Sequence, residues 1–198
     1  MKIGELVLAT NDNSTLPNSL AELLSHFYGR IQDLGEFHSC AATELSPAAA
    51  KLLNHNRHMT ESVESFYGSP VNVEVIRTLE EGANYAREIL LRRQSDNEVV
   101  QYGVVWLARQ SLPPDVMREI EAEDQPLGRV LIEAQVMREV TLNELFDVRL
   151  GPALACFFRG VPGEATFGRT AIIHCQGEPT IFLLEVLAHR PLQGAGAG

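Results

Sequence analysis

From Leu16 to Gly35 the apolar residues Leu20, Leu23, Leu24, Phe27 and Ile31 fall on one helical stripe, and Pro17 sits where a first turn tolerates it. That spacing predicts an amphipathic helix. Ser46 followed by Pro47 marks the start of a second helix running through Leu52 and Leu53. Beyond residue 70 the period changes. Val71 to Ile76 alternates apolar and polar positions, while Tyr85 to Arg92, Val99 to Arg109, Val136 to Leu142, Thr170 to Cys175 and Thr180 to Leu187 are rich in β-branched and aromatic residues. These segments predict strands. Polar turns at Arg93–Glu98 and Gln176–Pro179 join two pairs of them as hairpins. Helices are expected from Leu112 through Ile120 and from Pro126 to Glu133. Hairpins with segregated helices imply an α+β domain whose sheet is largely antiparallel.

Alternation also exposes two charges on apolar faces. Side chains i, i+2 and i+4 of a strand share a face, so Arg87 lies with Tyr85, Ile89 and Leu91, and Glu185 lies with Ile181, Leu183 and Leu187. A charge buried alone costs several kcal/mol. Two arrangements meet that cost. In one, Arg87 and Glu185 form structural ion pairs with each other, or with Glu88 or Arg169. In the other they face a small ligand pocket, Arg87 binding a carboxylate and Glu185 meeting a hydroxyl or ether oxygen.

Composition narrows the partners. The chain has 198 residues, 45% of them hydrophobic and 21% charged, and its 16 basic against 26 acidic side chains give a net charge of −10. One ordinary globular domain fits these values. The acidic balance argues against a nucleic-acid partner and against an anionic membrane surface. Apolar runs stay near ten residues, half of what a membrane helix needs, and the start of the chain shows no secretory signal. Cys40, Cys156 and Cys175 have no CxxC spacing, as for reduced thiols in the cytoplasm. Only Lys2 and Lys51 of the basic residues are lysines; arginine is the side chain suited to gripping a carboxylate with two parallel bonds.

Several short blocks carry a resemblance. They are Arg57-His58-Met59-Thr60-Glu61, Val71 to Arg77, Tyr85 to Leu91, Gln125-Pro126-Leu127-Gly128-Arg129, Phe167-Gly168-Arg169, and Gly177-Glu178-Pro179 followed by Leu183-Leu184-Glu185. In this order and spacing they resemble the chorismate pyruvate-lyases, the 4-hydroxybenzoate synthases with their mycobacterial-type relatives, over about residues 43 to 190. The resemblance implies a single α+β domain: a six-stranded, mainly antiparallel sheet with helices packed on it, and helical flaps over a buried ligand pocket. The flaps would come from around His55 to Ser65 and Leu145 to Phe158. Residues 1–42 would form an N-terminal segment and 191–198 a disordered tail. Thr170 stands where the family has a second arginine, and a usual proline is missing at Ala188-His189, departures expected near the pocket rim.

The same resemblance implies an activity, elimination of pyruvate from chorismate to leave a hydroxybenzoate, with no metal or organic cofactor. Arg87 would fix the ring carboxylate, helped by the backbone N–H groups of Met59 and Leu127, with Gly128 and Arg169 also at the substrate. Glu185 would protonate the departing ether oxygen. Other chemistries find less support: no HExxH, no Gly-x-Ser-x-Gly and no GxxxxGK is present, Cys156 reads as helix packing, and His174 as a core or edge residue. Two alternatives to the lyase stand. One is a small-molecule (aromatic acid) binding domain of the same fold, as in effector-sensing domains of transcription regulators, against which residues 1–40 are short and acidic for a DNA-binding domain. The other is a relative acting on a different aromatic or enol-ether substrate.

Overall fold

The computed structural model describes residues 16–188. Two short helices, α1 (Leu20–Ser25) and α2 (Ile31–Leu34), lead into strand β1 (Gly35–Ser39). Helices α3 (Pro47–Leu53) and α4 (Met59–Tyr67) precede three strands, β2 (Val71–Glu81), β3 (Asn84–Arg93) and β4 (Val99–Ala108). Helices α5 (Pro114–Glu121) and α6 (Leu127–Glu133) follow, then β5 (Arg138–Leu150), α7 (Pro152–Phe158), β6 (Ala165–Cys175) and β7 (Glu178–Leu187). The strands form one sheet in the order β1-β5-β6-β7-β4-β3-β2, with antiparallel neighbours throughout.

Local chemistry explains the element boundaries. Ser19 and Ser46 accept hydrogen bonds from the N–H groups of Glu22 and Ala49, satisfying donors that a helix start leaves orphaned. Gly68 ends α4 at φ +63°, a left-handed conformation open to glycine without steric cost. Gln176 and Gly177 both have positive φ, as the tight turn of the β6–β7 hairpin demands.

Helices cover both faces of the sheet. On one face α1, α2 and α7 bury Leu23, Leu24, Leu34, Leu154 and Phe158 against Leu90, Tyr102, Val104, Trp106 and Val186. On the other, α5 and α6 pack over Tyr85, Val105, Leu107, Ile181 and Leu183, while α3 and α4 pack over Ile89, Leu91, Phe167 and Leu187. All ten residues of β4 are therefore buried, which is why its sequence runs apolar instead of alternating.

The expected α+β class and antiparallel sheet are observed, with differences of detail. Among the described residues the sheet has seven strands, not six, because β1 pairs with the end of β5 from Gly35↔Leu150 to Ser39↔Phe146. The helix expected over residues 16–35 is two helices: the chain turns after Ser25, where the N–H groups of Phe27 and Tyr28 both donate to the Leu24 carbonyl, and Gly29 disfavours resumption. No flap arises from residues 145–158. Residues 145–150 complete β5, and α7 packs on the face away from the second helical layer. Cys156 on α7 is exposed, not packed. The tail expected over residues 191–198 lies outside the described residues.

Two glycines let β1 and α2 meet the β5–α7 corner. A Cβ on Gly151 would stand 2.4 Å from the Gln32 carbonyl oxygen and 2.7 Å from the Leu34 carbonyl carbon, and these are backbone atoms that cannot swing aside. Gly151→Ala is expected to cost about 1–3 kcal/mol through forced separation of these segments, read as a lower urea midpoint. An unchanged midpoint would show that the corner opens freely.

Candidate functional site

The registers of β3, β4, β7 and β6 align one sheet face into rows. Arg87 faces Val105, which faces Leu183; Ile89, Gly103, Glu185 and Arg169 form the next row; Leu91, Gln101 and Leu187 the third. Gly103 sits at the centre. A Cβ there would lie 3.3 Å from two Ile89 carbons, so its absence leaves the floor open between flanking side chains. The roof comes from the first residues of two helices, His58-Met59-Thr60 at α4 and Pro126-Leu127-Gly128 at α6. Gly128 allows the two starts to touch, because a Cβ there would stand 2.9 Å from Thr60 Oγ1. Neither start carries a side-chain cap. The space enclosed between floor and roof is about 50 Å³, room for a few water-sized groups, so a larger guest must part the two helix starts.

Charges in this cavity are unequally partnered. Arg169 is fully buried and uses four of its five N–H donors: Nε donates to Glu185 Oε2 at 2.6 Å, Nη1 to the carbonyls of Leu53 (3.1 Å) and His55 (2.7 Å), and Nη2 to that of Arg57 (3.3 Å). Arg87 is 1% exposed and makes no ion pair among the described residues. Its Nη1 donates to the Ile120 carbonyl at 3.1 Å and its Nη2 weakly to that of Gln125 at 3.5 Å, while its buried Nε–H has no partner. Burial pulls the Arg87 guanidinium below its ordinary pKa, the direction expected for a cation out of water.

Two histidines edge the site. His58 Nε2 accepts from Arg138 Nε at 2.6 Å, which puts the proton of the neutral ring on Nδ1. Burial first, then the charges of Arg138 and Arg169, lower its pKa to about 4. His55 is also lowered to about 4, by burial, then Arg169 and Arg57. The ionisable wall is therefore Arg57, Arg87 and Arg169 against Glu185 alone, a cationic excess inside a chain of net charge −10.

All six residues singled out from sequence, Arg87, Glu185, Met59, Leu127, Gly128 and Arg169, line this one cavity. Their partnership differs from the simplest expectation. Glu185 pairs with Arg169, not Arg87, and Glu88 takes Arg77 on the other face. Thr170, expected near the rim, is buried outside the cavity lining and accepts from Asn143 Nδ2 at 3.1 Å. Sequence reasoning missed His58, Gln101 and Gly103 as lining residues. The alternation that exposed Arg87 also places Gln101 and Gly103 on one face with Val105; nothing in the periodicity marks His58.

No protein-family model and no curated protein matches the chain, but solved structures do. The effector domain of PhnF from Mycobacterium smegmatis aligns at 14% identity and a TM-score of 0.50, covering 66% of this chain and 88% of that one. The C-terminal domain of the histidine utilization repressor from Pseudomonas syringae aligns at 12% identity and a TM-score of 0.44, over 65% and 99%. A ligand-binding domain assigned to a GntR-family transcriptional regulator from Bordetella bronchiseptica aligns at 14% and 0.44, over 59% and 85%. These likenesses concern the fold. They correct the expectation of a chorismate pyruvate-lyase: no family model matches, and the aligned structure with a TM-score of 0.50 is named as an effector domain. The expected carbon–oxygen lyase activity on chorismate falls with it.

The depressed histidines set a stability prediction. An imidazole in the unfolded chain has a pKa near 6.5, so between pH 6.5 and about 4 the unfolded state binds protons that folded His55 and His58 refuse. Their cost is absent above pH 6.5, and stability falls as pH drops through that window. His58→Gln should flatten the decline in melting temperature between pH 6.5 and 4.5 relative to the parent. Parallel curves would show that His58 is not held neutral.

Proposed function

We propose that this domain is a receptor for a small organic anion, a carboxylic acid with an apolar body, bound without covalent chemistry. The observation that carries the reading is Arg87, a buried guanidinium in the cavity wall with an unpartnered Nε–H and no ion pair among the described residues. A charge in that position is costly unless a counter-charge arrives, and a carboxylate offers two oxygens to the guanidinium fork. The uncapped starts of α4 and α6 add orphaned N–H groups and positive dipole ends at the roof. Ile89, Leu91, Val105, Val140, Ile173 and Leu183 supply the apolar remainder.

Binding is favoured over turnover by the state of Glu185. Its Oε2 accepts from Arg169 at 2.6 Å, so the carboxylate is engaged in holding that guanidinium. This agrees with the effector role named for the PhnF domain, and a sensing role in the cytoplasm is the extension made here. The acidic surface sets the domain itself apart from polyanions; where such domains belong to transcription regulators, as the Bordetella structure is named, a nucleic-acid partner would engage elsewhere. No helix among the described residues is long and apolar enough to cross a membrane.

Calorimetric titration with benzoate tests the reading. Binding is expected, and Arg87→Met should weaken it roughly 10- to 150-fold, corresponding to the about 1.5–3 kcal/mol of a hydrogen bond to a charged group. Equal affinity in parent and variant would refute the role of Arg87. Release of pyruvate when the protein is incubated with chorismate would overturn the non-catalytic reading.

A further inference from the structure

Gln101 is the other polar group of the cavity floor whose hydrogen bonding is incomplete. It is 3% exposed, lies in register between Leu91 and Leu187, and its Oε1 has no donor among the described residues. The Leu side chains beside it offer none, and Arg169 directs its bonds to Glu185 and three carbonyl oxygens. A buried amide carbonyl left unpaired is unfavourable, and this one lines the same space as Arg87.

The strand fixes where the two groups stand. Val105, the register partner of Arg87, is four residues along β4 from Gln101, about 13 Å between Cα atoms at the usual rise. The inward-facing residue between them is Gly103, which has no side chain to fill the gap. A ligand lying over Gly103 with its carboxylate toward Arg87 therefore directs its far end at Gln101. We infer that Gln101 is a specificity-determining residue, and that the ligand carries a hydrogen-bonding group, an amine or hydroxyl, at the end remote from its carboxylate. This deepens the carboxylate-receptor reading and rests on it.

The probes are 4-aminobenzoate and 4-methylbenzoate, similar in shape and differing in the remote donor, titrated into the full chain by calorimetry. The parent should bind the amino acid probe at least roughly tenfold more tightly, the scale of one buried hydrogen bond. Gln101→Met should erase that ratio by weakening 4-aminobenzoate while leaving 4-methylbenzoate within about twofold. A ratio near one in the parent, a ratio that survives in Gln101→Met, or no binding of either probe at millimolar concentration overturns the assignment. If the variant does not fold, the parent ratio alone decides. Arg87→Met separates the two readings: it should weaken both probes equally and keep their ratio, whereas undiminished binding of both would sink the carboxylate role and leave the Gln101 ratio to be judged by itself.

Discussion

The guanidinium of Arg169 is where sheet and roof are joined. It lies wholly buried on β6, pairs with Glu185 on β7, and gives its remaining bonds to the carbonyls of Leu53, His55 and Arg57. Those carbonyls belong to the link between α3 and α4, so the same side chain that orients Glu185 also sets where α4 begins. A buried ion pair is a poor source of net stability, because desolvation offsets most of its attraction. What Arg169 supplies is position. The cavity exists at this height above Gly103 because the roof is pinned to the floor by directional bonds, in place of apolar side chains that would have filled the space.

Adjacent residues of β3 show how differently the fold treats two buried charges. Arg87 and Glu88 are both 1% exposed and point to opposite faces. Glu88 is fully engaged: Tyr102 donates to it at 2.6 Å, Arg77 at 2.5 Å, and the Tyr28 hydroxyl completes the set. That network fastens the segment after α1 to the sheet, and burial with the Glu88 contact pushes the Tyr28 hydroxyl far above its usual range. Arg87, one residue away, donates to two carbonyl oxygens, with the Tyr85 hydroxyl and the Glu123 carboxylate nearby but no ion pair among the described residues. Structural charges are closed networks and functional charges are left open; on this strand the distinction separates neighbours.

Much of this was legible in the sequence. Alternation placed Arg87 and Glu185 on apolar faces, and the two hairpins were marked by their turn residues. What periodicity could not disclose was partnership. The oxygens that meet Arg87 and Arg169 come from the backbone of residues 53–57 and 120–125, and a main-chain carbonyl has no sequence signature. The edge strand β1 was hidden for a related reason: at five residues it is held by its register with β5 and by room for Gly35, whose Cβ would stand 2.7 Å from the Arg149 carbonyl oxygen. The family resemblance led to the correct fold class and to an activity that the comparisons overturn, because a fold constrains the scaffold while function is decided by site chemistry.

Taken over the whole molecule, a net charge of −10 disfavours an anionic ligand, yet the cavity wall holds three arginines against one glutamate. The two scales act in different media. Surface charges are screened over about 8 Å at physiological ionic strength, so the acidic exterior mainly slows arrival. Arg87 works behind low-dielectric walls where its interaction with a carboxylate is much less screened. The bulk field thus turns away polyanions that must contact a broad surface, and the cavity still selects a single small anion that can leave the surface behind.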